Sequence, residues 1–321
     1  MSYLPEQTIP LREITNALAF SPDGARLALA TRDKQAHNLI YRVSDWSLLP
    51  APRFARYDLH FGDDGALYVA GVGVERFTPS ATKLGKSGFA VPGHPKGITR
   101  VAVSPDGRWL AVHKYLDRLE LWFLGVSPPA QRLSIWTGTA QLFFFSADSA
   151  RFFYTSHETR AGLSVDALHQ VALHADGHSD APIEGPMPEG LSVHQVVRAT
   201  PHGLVAVAFP DRDVVVYDWD ALRPRRLGVR ALQGEVVLAG FAVSSDAAHV
   251  VVQIGVDRDE RAREWTLAVV ALATGEAVGE LPIGTVSAGL LALSARAERI
   301  AFTRTDTERE VRVFRRDPSI G

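Results

Sequence analysis

The chain has 321 residues, no cysteine, and 34 basic against 36 acidic residues, for a formal charge of -2. This composition excludes disulfides, thiolate catalysis, zinc-thiolate sites and iron-sulfur clusters, and it offers no global field to attract nucleic acid or an anionic membrane. Hydrophobic residues at 46% and charged residues at 22% are ordinary for a globular protein with a large core.

Residues 1–14 carry Pro5, Glu6, Pro10, Arg12 and Glu13 and lack the apolar stretch of a secretory signal. No segment approaches the ~20 apolar residues of a membrane-spanning helix. A soluble, cytoplasmic protein is the expectation, and the Ala/Arg-rich usage reads as bacterial.

The first clear element is a pair of apolar runs, Ala17 to Phe20 and Arg26 to Ala30, joined by Ser21-Pro22-Asp23-Gly24. Proline presets the first turn dihedral, aspartate bonds back to the backbone and glycine accepts positive φ, so the unit reads as a tight β-hairpin. Further runs at Leu39 to Val43 and Trp46 to Leu49 complete a four-stranded antiparallel unit. The turn recurs as Ser104-Pro105-Asp106-Gly107, and in weaker form from Gly62, Ser146, Thr200, Ser244 and Ser294. Successive separations are 41, 42, 42, 54, 44 and 50 residues. A period of about 40–45 residues is that of a four-stranded propeller blade. The expected fold is therefore all-β, one seven-bladed β-propeller over residues 1–321 built of four-stranded antiparallel blades.

Positions one and three residues before each turn hold Phe20 and Leu18, Phe61 and Leu59, Val103 and Val101, Phe145 and Phe143, Val243 and Phe241, and Leu293 and Leu291. Their alternation marks a buried strand face. The position between is alanine at 19, 102, 242 and 292, as suits an inner strand packed on both faces, with His60, Phe144 and Arg198 as exceptions. The last repeat supplies three strands and stops, which leaves residues 6–11 to add the fourth and close the ring. The second repeat is the weakest copy, with a short second loop at Gly71-Val72-Gly73, so six blades and an irregular insert is the alternative.

Gly93-His94, the run to Asp106-Gly107 and the strand end Leu121-Trp122 resemble a WD-repeat blade, as do Val216-Tyr217-Asp218 and Ala271 to Glu276 at other strand ends. The resemblance covers nearly the whole chain in degenerate form. It implies a rigid, non-enzymatic platform that binds proteins or peptides through the face built by the loops between strands two and three and between one blade and the next. The two long spacings include Ala181 to Gly190 and Gln253 to Glu264, insertions that fall on that face.

The partner-binding candidates are accordingly loop residues: Arg32 and Lys34; His113 and Tyr115; Trp136; His157 and Glu158; and Asp257, Arg258, Asp259 and Arg261. Mixed charge suits complementary pairing, and aromatic residues and arginines concentrate interface energy. A solvated, self-paired loop is the competing account of Asp257 to Arg261. No cofactor is expected, and the chain by itself reads as a monomer. His174, Asp176, His178 and Asp180 form a possible ligand cluster, but Ala175-Asp176-Gly177 reads as a hairpin turn. Arg223, Arg225, Arg226 and Arg230 form a basic cluster that reads as a solvated edge strand. The alternative function is a metal-dependent or small-molecule enzyme of lactonase-like type, with Asp58, Arg100 and Arg198 meeting at the mouth of a central channel.

Overall fold

The computed structural model describes residues 2–31, 39–50, 57–71, 73–79, 84–91, 97–114, 118–137, 143–160, 163–186, 197–200, 203–208, 213–217, 224–226, 236–259, 262–306 and 309–319. Among these the strands assemble into seven antiparallel sheets of four strands each. The chain opens with β1 (Tyr3–Pro10). The first sheet holds β2 (Thr15–Phe20), β3 (Arg26–Thr31), β4 (Leu39–Arg42) and β5 (Leu48–Leu49). The second holds β6 (Asp58–Phe61), β7 (Leu67–Ala70), β8 (Val74–Pro79) and β9 (Leu84–Val91), and the third β10 (Ile98–Val103), β11 (Trp109–Lys114), β12 (Arg118–Phe123) and β13 (Ala130–Trp136). The fourth holds β14 (Phe143–Phe145), β15 (Arg151–Arg160), β16 (Leu163–Ala172) and β17 (Ile183–Pro186). The fifth holds β18 (Val197–Thr200), β19 (Gly203–Ala208), β20 (Asp213–Tyr217) and β21 (Pro224–Arg226). The sixth holds β22 (Val236–Val243), β23 (His249–Asp259), β24 (Ala262–Ala271) and β25 (Ala277–Gly284). In the seventh, β26 (Ala288–Leu293), β27 (Arg299–Arg304) and β28 (Glu310–Arg316) are joined by β1, which pairs with β28 from Tyr3 opposite Arg316 to Pro10 opposite Glu310. The N-terminal strand thus begins three residues earlier than the 6–11 expected and ends one earlier. The second repeat forms a four-stranded sheet like the others.

The first strands of the sheets lie side by side: β22 against β26, β26 against β2, β2 against β6, β6 against β10, β10 against β14 and β14 against β18. Size complementarity lets them do so. Ala19 of the first sheet packs with Leu59 and Phe61 of the second, Ala102 of the third with Phe143 and Phe145 of the fourth, and Ala242 of the sixth with Leu291 and Leu293 of the seventh. Ala292 of the seventh meets Leu18 and Phe20 of the first. In these four inner strands one face is large and the other small, and the small face meets the large face of the next sheet. Where the small position is enlarged to His60, the facing strand carries the smaller Val101 and Val103.

The repeated turn owes its rigidity to the serine that opens it. Ser21 is buried; its hydroxyl donates to Asp23 Oδ1 (2.5 Å) and accepts from the Arg26 amide (2.9 Å), while Gly24 N donates to the Ser21 carbonyl (2.8 Å). Ser104 repeats the arrangement with Asp106 (2.6 Å) and the Trp109 amide (2.9 Å), and Ser146 and Ser244 do the same with Asp148 and Asp246. A buried hydroxyl is tolerated because both its hydrogen and its lone pair are used. In the seventh sheet Ser294 still accepts from Arg299 N (2.8 Å), though Arg296 stands where the copies at Ser21, Ser104, Ser146 and Ser244 have aspartate.

Hydrogen bonds also run between sheets. Asp58 Oδ2 accepts from Val101 N (2.9 Å), Asp106 N donates to Ser149 Oγ (3.0 Å), and Asp246 Oδ2 accepts from Arg296 N (2.7 Å). Gln253, wholly buried in β23, reaches the first residue of β26: its amide nitrogen donates to the Ala288 carbonyl and its oxygen accepts from the Ala288 N–H, both at 2.9 Å.

Candidate functional site

Two long hairpins set the surface apart. β15 and β16 run 10 residues each, and β23 and β24 run 11 and 10, against 6 each in β11 and β12. All three second strands start five residues after the turn serine, so the extra length lies at the far end, where about four residues at ~3.3 Å each carry the tips ~13 Å further out. The pairing is continuous from Arg151 opposite Ala172 to Arg160 opposite Leu163, and runs from His249 opposite Ala271 to Asp259 opposite Ala262 with one irregularity, at Arg258.

This corrects the placement of several candidates. Asp257, Arg258 and Asp259 lie within β23, and His157 and Glu158 within β15, rather than on loops. Alternating charge along a strand resembles a loop in sequence because nothing apolar marks it, yet the antiparallel partner satisfies its backbone. The side chains of these five residues lie outside the description, as do Arg32, Lys34, Tyr115 and Arg261 altogether. His113 is also on a strand, β11, and turns inward: its Nδ1 is 2.9 Å from Thr99 Oγ1 and its ring stacks on Phe143. It caps the third and fourth sheets rather than a binding rim. Trp136 is exposed (67%), but it ends the outer strand β13, opposite Arg118, and is not on a loop.

Beside His113, Lys114 Nζ and Glu120 Oε2 form a buried pair at 2.7 Å, and Trp122 Nε1 donates to the same oxygen (3.0 Å). Sequence reading missed this triad, although lysine, glutamate and tryptophan at 114, 120 and 122 fall opposite or along paired strands once the hairpin register is known.

The inner strands enclose a cavity of about 530 Å³. Its lining is largely Ala, Leu, Val and Phe, with His60, Asp63, Arg100, Ser245 and Asp246 as polar members. Arg100 lies with its guanidinium carbon 5.3 Å from the Phe143 ring centroid. Asp58 does not join it at a mouth. Its two carboxylate oxygens accept from Val101 N and from its own neighbour Leu59 N, each at 2.9 Å, so the group is spent on backbone. Burial pushes its pKa up to about 6, outweighing those hydrogen bonds and the Arg100 charge, which pull it down. The side chain of Arg198 lies outside the description.

At the opposite end of the fourth sheet, residues 174–180 form the expected turn: Gly177 N donates to the His174 carbonyl (3.0 Å) and His174 N to the His178 carbonyl (2.9 Å). Gly177 has φ +86 and Phe123 of the third sheet packs so close that a Cβ would stand 2.4 Å from its ring, so two constraints select glycine. His174 Nε2 is 3.1 Å from Asp180 Oδ1, and among the described residues no group of three or more histidines and carboxylates is arranged to hold a metal ion. Of the basic cluster, Pro224, Arg225 and Arg226 form the outer strand β21, and Arg223 and Arg230 lie outside the described residues.

Residues 85–112 match the family described as WD domain, G-beta repeat. Among solved structures, the β-propeller domain of Cps50 (Swd1) from Myceliophteria thermophila superposes with a TM-score of 0.65 at 11% identity, over 98% of this chain and 100% of that one. No curated protein matches the sequence. The chain therefore has the β-propeller fold and carries a WD-type repeat. Among the described residues no helix is long and apolar enough to cross a membrane.

Proposed function

We propose that this WD-repeat β-propeller is a seven-bladed, non-enzymatic scaffold that binds a partner protein or peptide through the face bearing its two long hairpins. In this reading the seven sheets are the blades of one ring over residues 1–321, and β1 closes it by completing the last blade. The protein works as a cytoplasmic, bacterial monomer without a cofactor.

The observation that carries the binding face is the extension of β15–β16 and β23–β24 well past the hairpin of the third sheet, with Asp257, Arg258 and Asp259 at the far end of β23. Projecting, charge-dense arms on a rigid ring supply complementary contacts at little ordering cost. Arg32, Lys34 and Tyr115 belong to the same face in this reading. A channel-sited hydrolase is the weaker alternative, because Asp58 is committed to backbone hydrogen bonds and the cavity lining is mainly apolar.

The test is affinity capture from native extract with the wild type and with a chain carrying alanine at 257, 258, 259 and 261. A partner retained by the wild type and lost from the folded variant supports the reading. Equal capture by both places the contact elsewhere.

A further inference from the structure

Among the described residues the outer strand of each sheet has one unpaired edge, and most of these edges are blunted. β1 contains Pro5 and Pro10, β17 ends in Pro186, β21 begins at Pro224, β25 contains Pro282, β9 contains Gly85 and Gly88, and β5 is two residues long. Proline removes the N–H that an incoming strand needs, glycine weakens a strand, and two residues are too few to template one. β13, Ala130-Gln131-Arg132-Leu133-Ser134-Ile135-Trp136, has neither proline nor glycine over seven residues. Arg132 is an extra residue in its pairing with β12, and from Leu133 to Trp136 the register is regular. Leu133 and Ile135 pack inward on the core shared by the third and fourth sheets, which holds this stretch in place, while Trp136 stands exposed at its end.

We infer that the free edge of β13 from Leu133 to Trp136 is a second interaction surface, which takes an extended acidic peptide segment of a partner as an added strand with Trp136 as its anchor. Backbone hydrogen bonds supply the pairing and the indole supplies apolar area at low ordering cost. The acidic character follows from charge: Arg132, on β13 itself, and Arg118, one strand further in on β12 and opposite Trp136, are both exposed. A second copy of this chain fits less well. A regular stretch of four residues falls far short of the ~1,000 Å² that marks a stable interface, and self-pairing doubles the positive charge at one seam. This surface is separate from the hairpin face and stands or falls independently of it.

The test pans a phage-displayed library of seven-residue peptides on the immobilised full chain, then measures the selected peptides by fluorescence anisotropy. Expected are peptides with alternating apolar residues and Asp or Glu, binding at least tenfold more weakly to Trp136→Lys and to Ser134→Pro. The same peptides bind unchanged to the chain with alanine at 257, 258, 259 and 261. Should Ser134→Pro fail to fold, Arg118→Glu with Arg132→Glu takes its place and is expected to lose acidic peptides by the same factor. Peptides of no charge preference, or affinity indifferent to Trp136→Lys, overturn the proposal. So does a wild-type dimer by light scattering that Trp136→Lys converts to monomer, since the occupant is then a second copy.

Discussion

Arg299 grips Glu6 with two prongs, Nε to Oε2 at 2.8 Å and Nη2 to Oε1 at 3.2 Å, across 293 positions of sequence. Both side chains are 17% exposed, so the pair is largely shielded from water. It ties β1 to β27 beyond the strand paired between them, and the Tyr3 hydroxyl adds a bond to the Ala297 carbonyl (2.8 Å). Bidentate geometry and partial burial make this pair worth more than a surface contact.

Glu6→Ala is expected to cost about 1–3 kcal/mol, since it leaves a largely shielded guanidinium with only the more distant Glu298 carboxylate, at 3.8 Å. Deleting residues 1–12 is expected to lower the melting temperature by far more, because the outer edge of β28 loses its whole ladder. Calorimetry checks both; a truncated chain that melts with the wild type is incompatible with ring closure by β1.

Ser104→Ala removes a buried hydroxyl that serves Asp106 and the Trp109 amide at once. Leaving that amide buried without its acceptor is expected to cost about 1–3 kcal/mol in urea unfolding. The same change at Ser319, whose hydroxyl bonds only within the exposed C-terminal turn, is expected to stay within about 0.5 kcal/mol.

Ala247 occupies the turn position that glycine fills in the first and third sheets, and it does so at φ 55, close to φ 67 at Gly24 and 70 at Gly107. An L-residue pays roughly 1–2 kcal/mol for that conformation, against roughly 0.5–1 kcal/mol of extra chain entropy for glycine. Ala247→Gly is expected to stabilise the protein by about 0.5–1 kcal/mol. A lower denaturant midpoint for the variant contradicts this account of the turn.

Asp58 makes stability depend on pH in an unusual direction. Its folded pKa of about 6 lies above the ordinary 3.8, so between those values the folded chain binds more protons than the unfolded one. Stability from this group is therefore present at about pH 4 and falls as pH rises to about 6, by roughly 3 kcal/mol in all at 1.36 kcal/mol per unit, and is flat above. Asp58→Asn is expected to remove that slope, which melts at pH 4.5 and 7 in both chains will show.

Much of this molecule was legible in one dimension. The spacing of the Ser-Pro-Asp-Gly turns and the period-two alternation of Leu18 and Phe20, or Phe143 and Phe145, report local backbone chemistry, and each sheet but the seventh, which takes in β1, is built from consecutive strands. The alanines at 19, 102, 242 and 292 even announced a tight inner face. What they pack against was not legible, because their partners sit one repeat away and only the folded neighbour shows large meeting small.

The candidate site divided in the same way. That the fourth and sixth repeats carry something extra was visible in the numbering, but in the fourth the expected insertion at 181–190 includes the outer strand β17 and the described lengthening is in β15–β16. Whether Asp257 or His157 lies on strand or loop depends on a partner strand that charge patterning does not reveal. Tertiary structure alone turned His113 inward toward Thr99, spent Asp58 on the backbone of Val101, and joined Gln253 to Ala288 and Glu6 to Arg299. Sequence by itself determined the repeating unit, because a turn and an alternating strand are set by residues within a few positions of each other. Tertiary structure decided which polar groups are used up inside and which remain at the surface, because burial depends on neighbours that come together only when the sheets pack.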